Sequence, residues 1–282
     1  MSSRTSMSDA PLERFAELGG IDVTAFVGTS PWRLAATIDV AGLGRQADRL
    51  GLAGVCVSHL ASVFGFDTRT GNEALAEAIA GDARLWFTPV LNPSEPGWEA
   101  ELEWALEEGA TGIRLTPGCH GYDADHPALA ELATAAQEAE LALHLLTTMD
   151  DPRERHPRYA FTDWSAAEVA NFLRLAGAAP VVISGLRTYD WPEVHSCLDH
   201  GHDLSGILVD TWRMNGPVAA LRMMTEQWGD LLAYGTCQPG QDAVASAYQL
   251  ATARISAAER LAAAAGNAGR VLGRVAAPRS SG

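Results

Sequence analysis

The groups that could do chemistry in this chain stand at or near the ends of short apolar runs. His120, in His120-Gly121-Tyr122, follows the run Gly112–Thr116. An imidazole there can serve as general acid or base near neutral pH, with Tyr122 beside it to contact a substrate. The competing role for His120 is a hydrogen bond that stabilises its loop. His144 lies within the run Leu141–Leu146 and is either a reacting group or a hydrogen-bonded part of the core. Asp210 ends the run Gly206–Asp210. In a low-dielectric setting its pKa rises and it can transfer protons; the alternative is a structural ion pair with a nearby arginine. Cys237, in Gly235-Thr236-Cys237-Gln238-Pro239, is a nucleophile only where positive charge stabilises its thiolate, and otherwise an inert buried thiol. These four are the catalytic candidates.

Binding candidates come from cations and hydroxyls at similar positions. Arg114, Arg187 and Arg213 lie at or just beyond the ends of apolar runs, and their guanidinium forks suit a carboxylate or phosphate. Against this, 35 acidic residues compete for 20 basic ones, so each arginine has carboxylates to pair with. Ser58-His59 closes the run Gly54–Ser58 and could face the same opening. His200-Gly201-His202 precedes a run and reads as loop surface. Asp123, Asp125 and His126 read as a cap for a helix opened by Pro127.

Such groups converge only if the elements carrying them do. Strand-length apolar runs recur about every thirty residues: Ile21–Val27, Gly54–Ser58, Leu85–Leu91, Gly112–Thr116, Leu141–Leu146, Val181–Ser184, Gly206–Asp210 and Leu231–Gly235. Helical patterns separate them, which predicts parallel β/α units with strands buried on both faces. Pro96 opens one helix, with Trp98, Leu102 and Leu106 on a single face and Gly109 at its end. Ser165-Ala166-Ala167-Glu168 and Ser256-Ala257-Ala258-Glu259 match the capping box. Val218, Leu221, Met224 and Trp228 form another apolar stripe, stopped by Gly229. The sequence lacks Gly-x-Gly-x-x-Gly after the first strand and any Gly-x-x-x-x-Gly-Lys-[Ser/Thr], the usual marks of an open nucleotide-binding sheet. Eight units in 282 residues therefore predict an α/β fold, a single-domain (β/α)8 TIM barrel, over 12–275. Polar tails are expected at 1–11 and 276–282.

Composition narrows the partners. The formal charge is −15 with no basic run, which disfavours nucleic acid and anionic membrane. No segment approaches the roughly 20 apolar residues of a membrane span, and Met1–Pro11 lacks the apolar core of a signal peptide. The four cysteines form no Cys-x-x-Cys pair, which fits a reducing cytosol better than a zinc ribbon or a disulfide framework. A cytoplasmic protein with a small polar or anionic substrate is expected, and a homodimer stays open.

From Ile21 to Leu272 the chain resembles the amidohydrolase-related (amidohydrolase 2) family, most specifically in its middle third. Asn92-Pro93, Pro96-Gly97-Trp98-Glu99, Gly112-Ile113-Arg114-Leu115-Thr116-Pro117, His120-Gly121-Tyr122, Asp150-Asp151-Pro152-Arg153 and His156-Pro157 carry the likeness. Asn267-Ala268 is similar to the family's closing helix. The resemblance implies metal ligands at strand C-terminal ends. This chain has Thr24 and Phe26 where the first strand usually ends in His-x-His, Leu146 and Ser184 at the next two histidine positions, and Cys237 at the final aspartate position. A phenyl ring and an isobutyl group offer a metal no lone pair. The resemblance therefore implies a divergent barrel that keeps the mouth without the metal or any other cofactor, leaving Thr24 and Ser184 to line it.

Three activities follow as expectations. The first is metal-independent acid–base catalysis (hydrolysis, decarboxylation, elimination or isomerisation), with specialised metabolism as its setting. The second is a metal-dependent hydrolase with unconventional ligands drawn from Cys237, His120, His144 and Asp22. The third is a non-catalytic relative that binds a ligand or partner.

Overall fold

Alternation within each strand divides the molecule into two cores. Val55, Val57, Ile113, Leu115, Leu143, Leu145, Val181, Ile183, Ile207 and Val209 all join one large apolar cluster with the surrounding helices. Their neighbours Cys56, Ala142, Val182 and Leu208 join a second, smaller cluster. Branched side chains thus face the helices, and the intervening residues face a separate interior, the arrangement a closed barrel requires.

The computed structural model describes residues 10–31, 36–65, 67–149, 161–215 and 219–273. Its strands are β1 (Ile21–Thr29), β2 (Thr37–Ile38), β3 (Gly54–His59), β4 (Leu85–Phe87), β5 (Gly112–Leu115), β6 (Ala142–Leu146), β7 (Val181–Ser184), β8 (Ile207–Asp210) and β9 (Leu232–Ala233). Among the described residues, eight of these are parallel, in the order β1-β3-β4 and β5-β6-β7-β8-β9. Isolated parallel bridges, Val90 to Arg114 and Ala25 to Gln238, join the two arcs and close the ring. The protein is a single-domain (β/α)8 barrel. Each of the eight strands falls within a residue or two of its expected run, except that the third ends at Phe87. Pro89 follows and cannot donate to a ladder, although its carbonyl still accepts from Arg114 N. The two-residue β2, antiparallel to the end of β1, was not expected.

Both capping boxes form, at Ser165–Glu168 and Ser256–Glu259. The helix expected from Pro96 spans Trp98–Glu107, with Gly97 as its N-cap at φ +88°. In the last stripe Leu221 and Met224 are buried and Trp228 packs against the core; Val218 lies outside the described residues. His126 takes the N-cap position before Pro127, but no side chain caps that helix, correcting the expected role of the acidic pair before it. The N-terminal tail is also shorter than expected at its described end: Ala10 and Pro11 open helix Ala10–Ala16. Residues 276–282, Asp150–Arg153 and His156-Pro157 lie outside the described residues.

Two devices fix the barrel's ends. At the strand starts, Ala268, Val271 and Leu272 of helix Asn267–Leu272 pack on Ile21, Val23, Ala142, Val182, Leu208 and Ala233. Asn267 anchors that helix through Nδ2, which donates to the Gly229 and Leu232 carbonyls at 2.7 and 2.8 Å. At the seam between first and last strands, Asp22 accepts from Thr236 Oγ1 at 2.6 Å, Thr236 N at 3.1 Å and Thr24 N at 3.0 Å. A register shift between Asp22 and Ala25 accompanies this clasp. No helix among the described residues is long and apolar enough to cross a membrane.

Candidate active site

Two residues above the apolar plug, the same strands turn polar. Gly112 is followed inward by Arg114, Ala142 by His144, Val182 by Ser184 and Leu208 by Asp210, and all four of these side chains are buried. Thr24 Oγ1 and Ser184 Oγ share a hydrogen bond of 2.5 Å. Asp210 lies beside them, with the Gly185 amide 3.4 Å from Oδ1 and no hydrogen-bond partner on Oδ2. Burial raises its pKa to about 6; the Thr24 and Ser184 hydroxyls, the Gly185 amide and the Arg114 charge pull it back down. Burial raises Asp22 further, to about 7, against its bonds to Thr236 and Thr24. Gly235 packs against Asp210 so closely that an added Cβ would stand 2.7 Å from the aspartate Cβ.

Arg114 is fully buried. Its Nε donates to Ser58 Oγ at 2.7 Å, and Ser58 in turn donates to the Thr88 carbonyl. Nη1 and Nη2 have no partner. Burial lowers its pKa, but a guanidinium remains charged at neutral pH. Cys56, Cys237, Asp210 and Asp22 all feel that charge. Its Cζ lies 4.9 Å from the centroid of Phe26, a cation–π contact. Phe26 belongs to an apolar collar above the polar layer, with Leu60, Val63, Val90, Leu146, Trp212 and Cys237.

Seven of the expected site residues therefore share the barrel interior: Thr24, Ser58, Arg114, His144, Ser184, Asp210 and Cys237. His144 sits over Gly112 and bonds the Val23 backbone, and burial beside Arg114 holds its pKa well below the usual range. That keeps it neutral, with Nδ1 unpartnered.

The others go elsewhere. His120 Nε2 contacts the Ser62 carbonyl at 3.1 Å, and Nδ1 lies 3.3 Å from Thr116 Oγ1. Burial lowers its pKa to about 4, so it is a neutral loop tie that shares no partner with Asp210. Tyr122, expected at the mouth, instead packs in the helix layer against Trp164, ring edge to face at 6.2 Å. His59 caps helix Leu60–Phe64, its Nδ1 accepting from Ala61 N. Arg187 pairs with Asp190 at 2.9 Å with its side chain 66% exposed, which removes it from the expected anion cradle. Arg213 is part-buried, and its Nη1 donates to the Gly185 carbonyl at 3.2 Å. Sequence reasoning missed Trp212 as an inward residue. Counting by twos from Leu208 through Asp210 would have found it.

The sequence matches no family model and none of the curated proteins at a significant level. The fold has clear counterparts. The 5-carboxyvanillate decarboxylase of Sphingomonas paucimobilis superposes with a TM-score of 0.68 at 16% identity, covering 92% of this chain and 99% of that one. A dihydroxybenzoic acid decarboxylase of Polaromonas, solved with manganese and 2-nitroresorcinol, also gives 0.68 at 16% identity, covering 90% and 97%. A candidate amidohydrolase of Staphylococcus aureus gives 0.66 at 12%, covering 90% and 99%.

The manganese in one neighbour raises the question of whether a metal fits here. Thr24 and Ser184 bond each other, Phe26 and Leu146 offer no donor atom, and Asp22 is occupied by Thr236 and Thr24. No three His, Cys, Asp or Glu side chains among the described residues come together as a metal site. The described residues do not fit a divalent ion. In architecture this chain is a (β/α)8 barrel similar to these structures, with a buried arginine and aspartate in its interior.

Proposed function

We propose that this chain is a hydrolase- or lyase-type enzyme that works without a metal, moving a proton through Asp210 on a small acid whose carboxylate sits on Arg114. One observation carries the reading: Arg114 Nη1 and Nη2, and Asp210 Oδ2, are buried in one barrel interior without hydrogen-bond partners. An unmet buried polar atom costs about 1–3 kcal/mol, more when charged, so such a group asks for a ligand. A carboxylate supplies two acceptors in the geometry a guanidinium prefers.

With a pKa near 6, Asp210 holds both protonation states in useful amounts near neutral pH. Ser58 fixes the guanidinium from one side and the Phe26 face from another, so Arg114 can orient the acid without moving. The two decarboxylases named above act on small aromatic acids, and the apolar collar suits such a body. Arg114 stabilises an intact carboxylate more than departing carbon dioxide. This favours the carboxylate as a handle, with proton transfer at another atom, over its own loss.

The test follows solvent deuterium entering candidate acids by NMR. Wild type should exchange a carbon-bound or leaving-group proton. Asp210→Asn should slow this by about 10²-fold or more with binding retained, and Arg114→Met should abolish binding. Full exchange in Asp210→Asn would overturn the reading. The apolar collar favours a second role, ligand binding without turnover, in which case wild type binds acids and exchanges nothing.

A further inference from the structure

Trp212 lies two residues beyond Asp210 on the inward side of the strand and packs in the collar with Phe26, Leu146 and Cys237. It is 6% exposed, and its indole Nε1–H has no hydrogen-bond partner. The surrounding collar side chains Phe26, Leu60, Val63, Val90 and Leu146 have no side-chain acceptor to offer. An indole seeks a partner when buried, and a molecule entering the barrel can provide one.

We infer that Trp212 is a specificity-determining residue: its N–H receives an uncharged oxygen, a carbonyl, on the far side of an apolar-bodied acid held by Arg114. The inference rests on the anion site proposed above and adds a second contact to it. Two donors of different kinds occupy one interior. Arg114 carries a full charge and two free nitrogens deep in the barrel, which suit the carboxylate. Trp212 carries one neutral N–H among apolar side chains, where a second full anion would be poorly solvated but a carbonyl dipole is accommodated. Arg114 and Trp212 together therefore select acids that bear a second, neutral acceptor. A site built around a buried donor discriminates against analogues that lack the acceptor, because the donor is then left unmet.

The experiment titrates the full chain calorimetrically with meta- and para-acetylbenzoate and the matching ethylbenzoates, which share shape but lack the carbonyl. Wild type should bind one acetyl acid about tenfold tighter than its ethyl partner, the scale of one hydrogen bond. Trp212→Phe keeps the ring's bulk and removes the N–H. It should weaken the acetyl acid alone, making the pair equal, whereas Arg114→Met should weaken both. In wild type, the Trp212 indole N–H resonance should move on adding the acetyl acid and stay with the ethyl acid, a reading that does not depend on the variant folding. Equal affinities in wild type, or a preference that survives Trp212→Phe, would overturn the role of Trp212 while benzoate binding sustains the anion site. No binding of any benzoate by wild type would overturn both.

Discussion

The two halves of the barrel interior use the same strands for opposite ends. At the strand starts, Ala142, Val182, Leu208 and Ala233 meet Ala268, Val271 and Leu272 in an apolar plug. Two residues further on, Arg114, His144 and Asp210 leave four polar atoms without a hydrogen-bond partner between Trp212 above and the plug below. The lower half is satisfied and the upper half is not. Apolar packing and unmet polar groups are thus separated along each strand by one pleat, with the polar groups toward the strand C-terminal ends, where this architecture places catalytic groups.

The largest effect expected from that contrast is in the plug. Leu208→Ala should cost about 2–5 kcal/mol in chemical denaturation, the range for truncating a buried leucine, and leave ligand affinity unchanged in the folded fraction. A loss of affinity at constant stability would erase the division of labour.

Next in size is the pH dependence of Asp210. Its folded pKa, about 6, lies above the ordinary 3.8, so the folded state holds its proton more tightly. The stability this provides is complete below the ordinary value and is lost as pH rises toward and through 6. Asp210→Asn mimics the protonated acid. The variant should therefore match wild type near pH 4 and exceed it by roughly 1–3 kcal/mol at pH 8. Comparing the two proteins at each pH cancels the opposite trend from His59, His120 and His144, whose lowered values favour the folded state at higher pH. A stability difference that shrinks with rising pH would mean the carboxylate is better paired than the geometry indicates.

Gly235→Ala tests the close approach to Asp210 and should cost about 1–3 kcal/mol, the scale of overpacking, while shifting the pH at which Asp210 titrates. The smallest change expected is for Arg114→Met. Removing a buried, incompletely paired charge should leave stability within about 1 kcal/mol of wild type or raise it. A loss of several kcal/mol would identify Arg114 as a structural partner of Asp210 and sharpen the boundary between the halves.

Much of the fold was legible because strands buried on both faces read as largely apolar runs, and all eight runs carry that mark. The site was legible where parity was. Arg114, His144, Ser184 and Asp210 alternate with apolar residues that face the helices, so their direction followed from their spacing. Loop residues carried no such rule. Tyr122 and His120 stood near a strand end in sequence, yet a ring packed on Trp164 and a bond to the Ser62 carbonyl claimed them. Arg187 had Asp190 three residues on, a local pairing that outweighs convergence across a barrel. The early end of β4 follows from Pro89, which has no N–H to give a ladder.

The clasp at Asp22 sets a condition on how the chain acquires its shape during synthesis. Its partner Thr236 lies 214 residues away, so neither the first strand's carboxylate nor the ring itself is completed until the segment carrying the last strand has been made. Contacts of such separation are slow to form, because a long loop must be closed before they give any return. Until then the early strands present an open, unpaired edge to the ribosome's surroundings. A nascent chain halted before Thr236 should remain protease-sensitive throughout, and protection should arrive in one step once the last strand emerges.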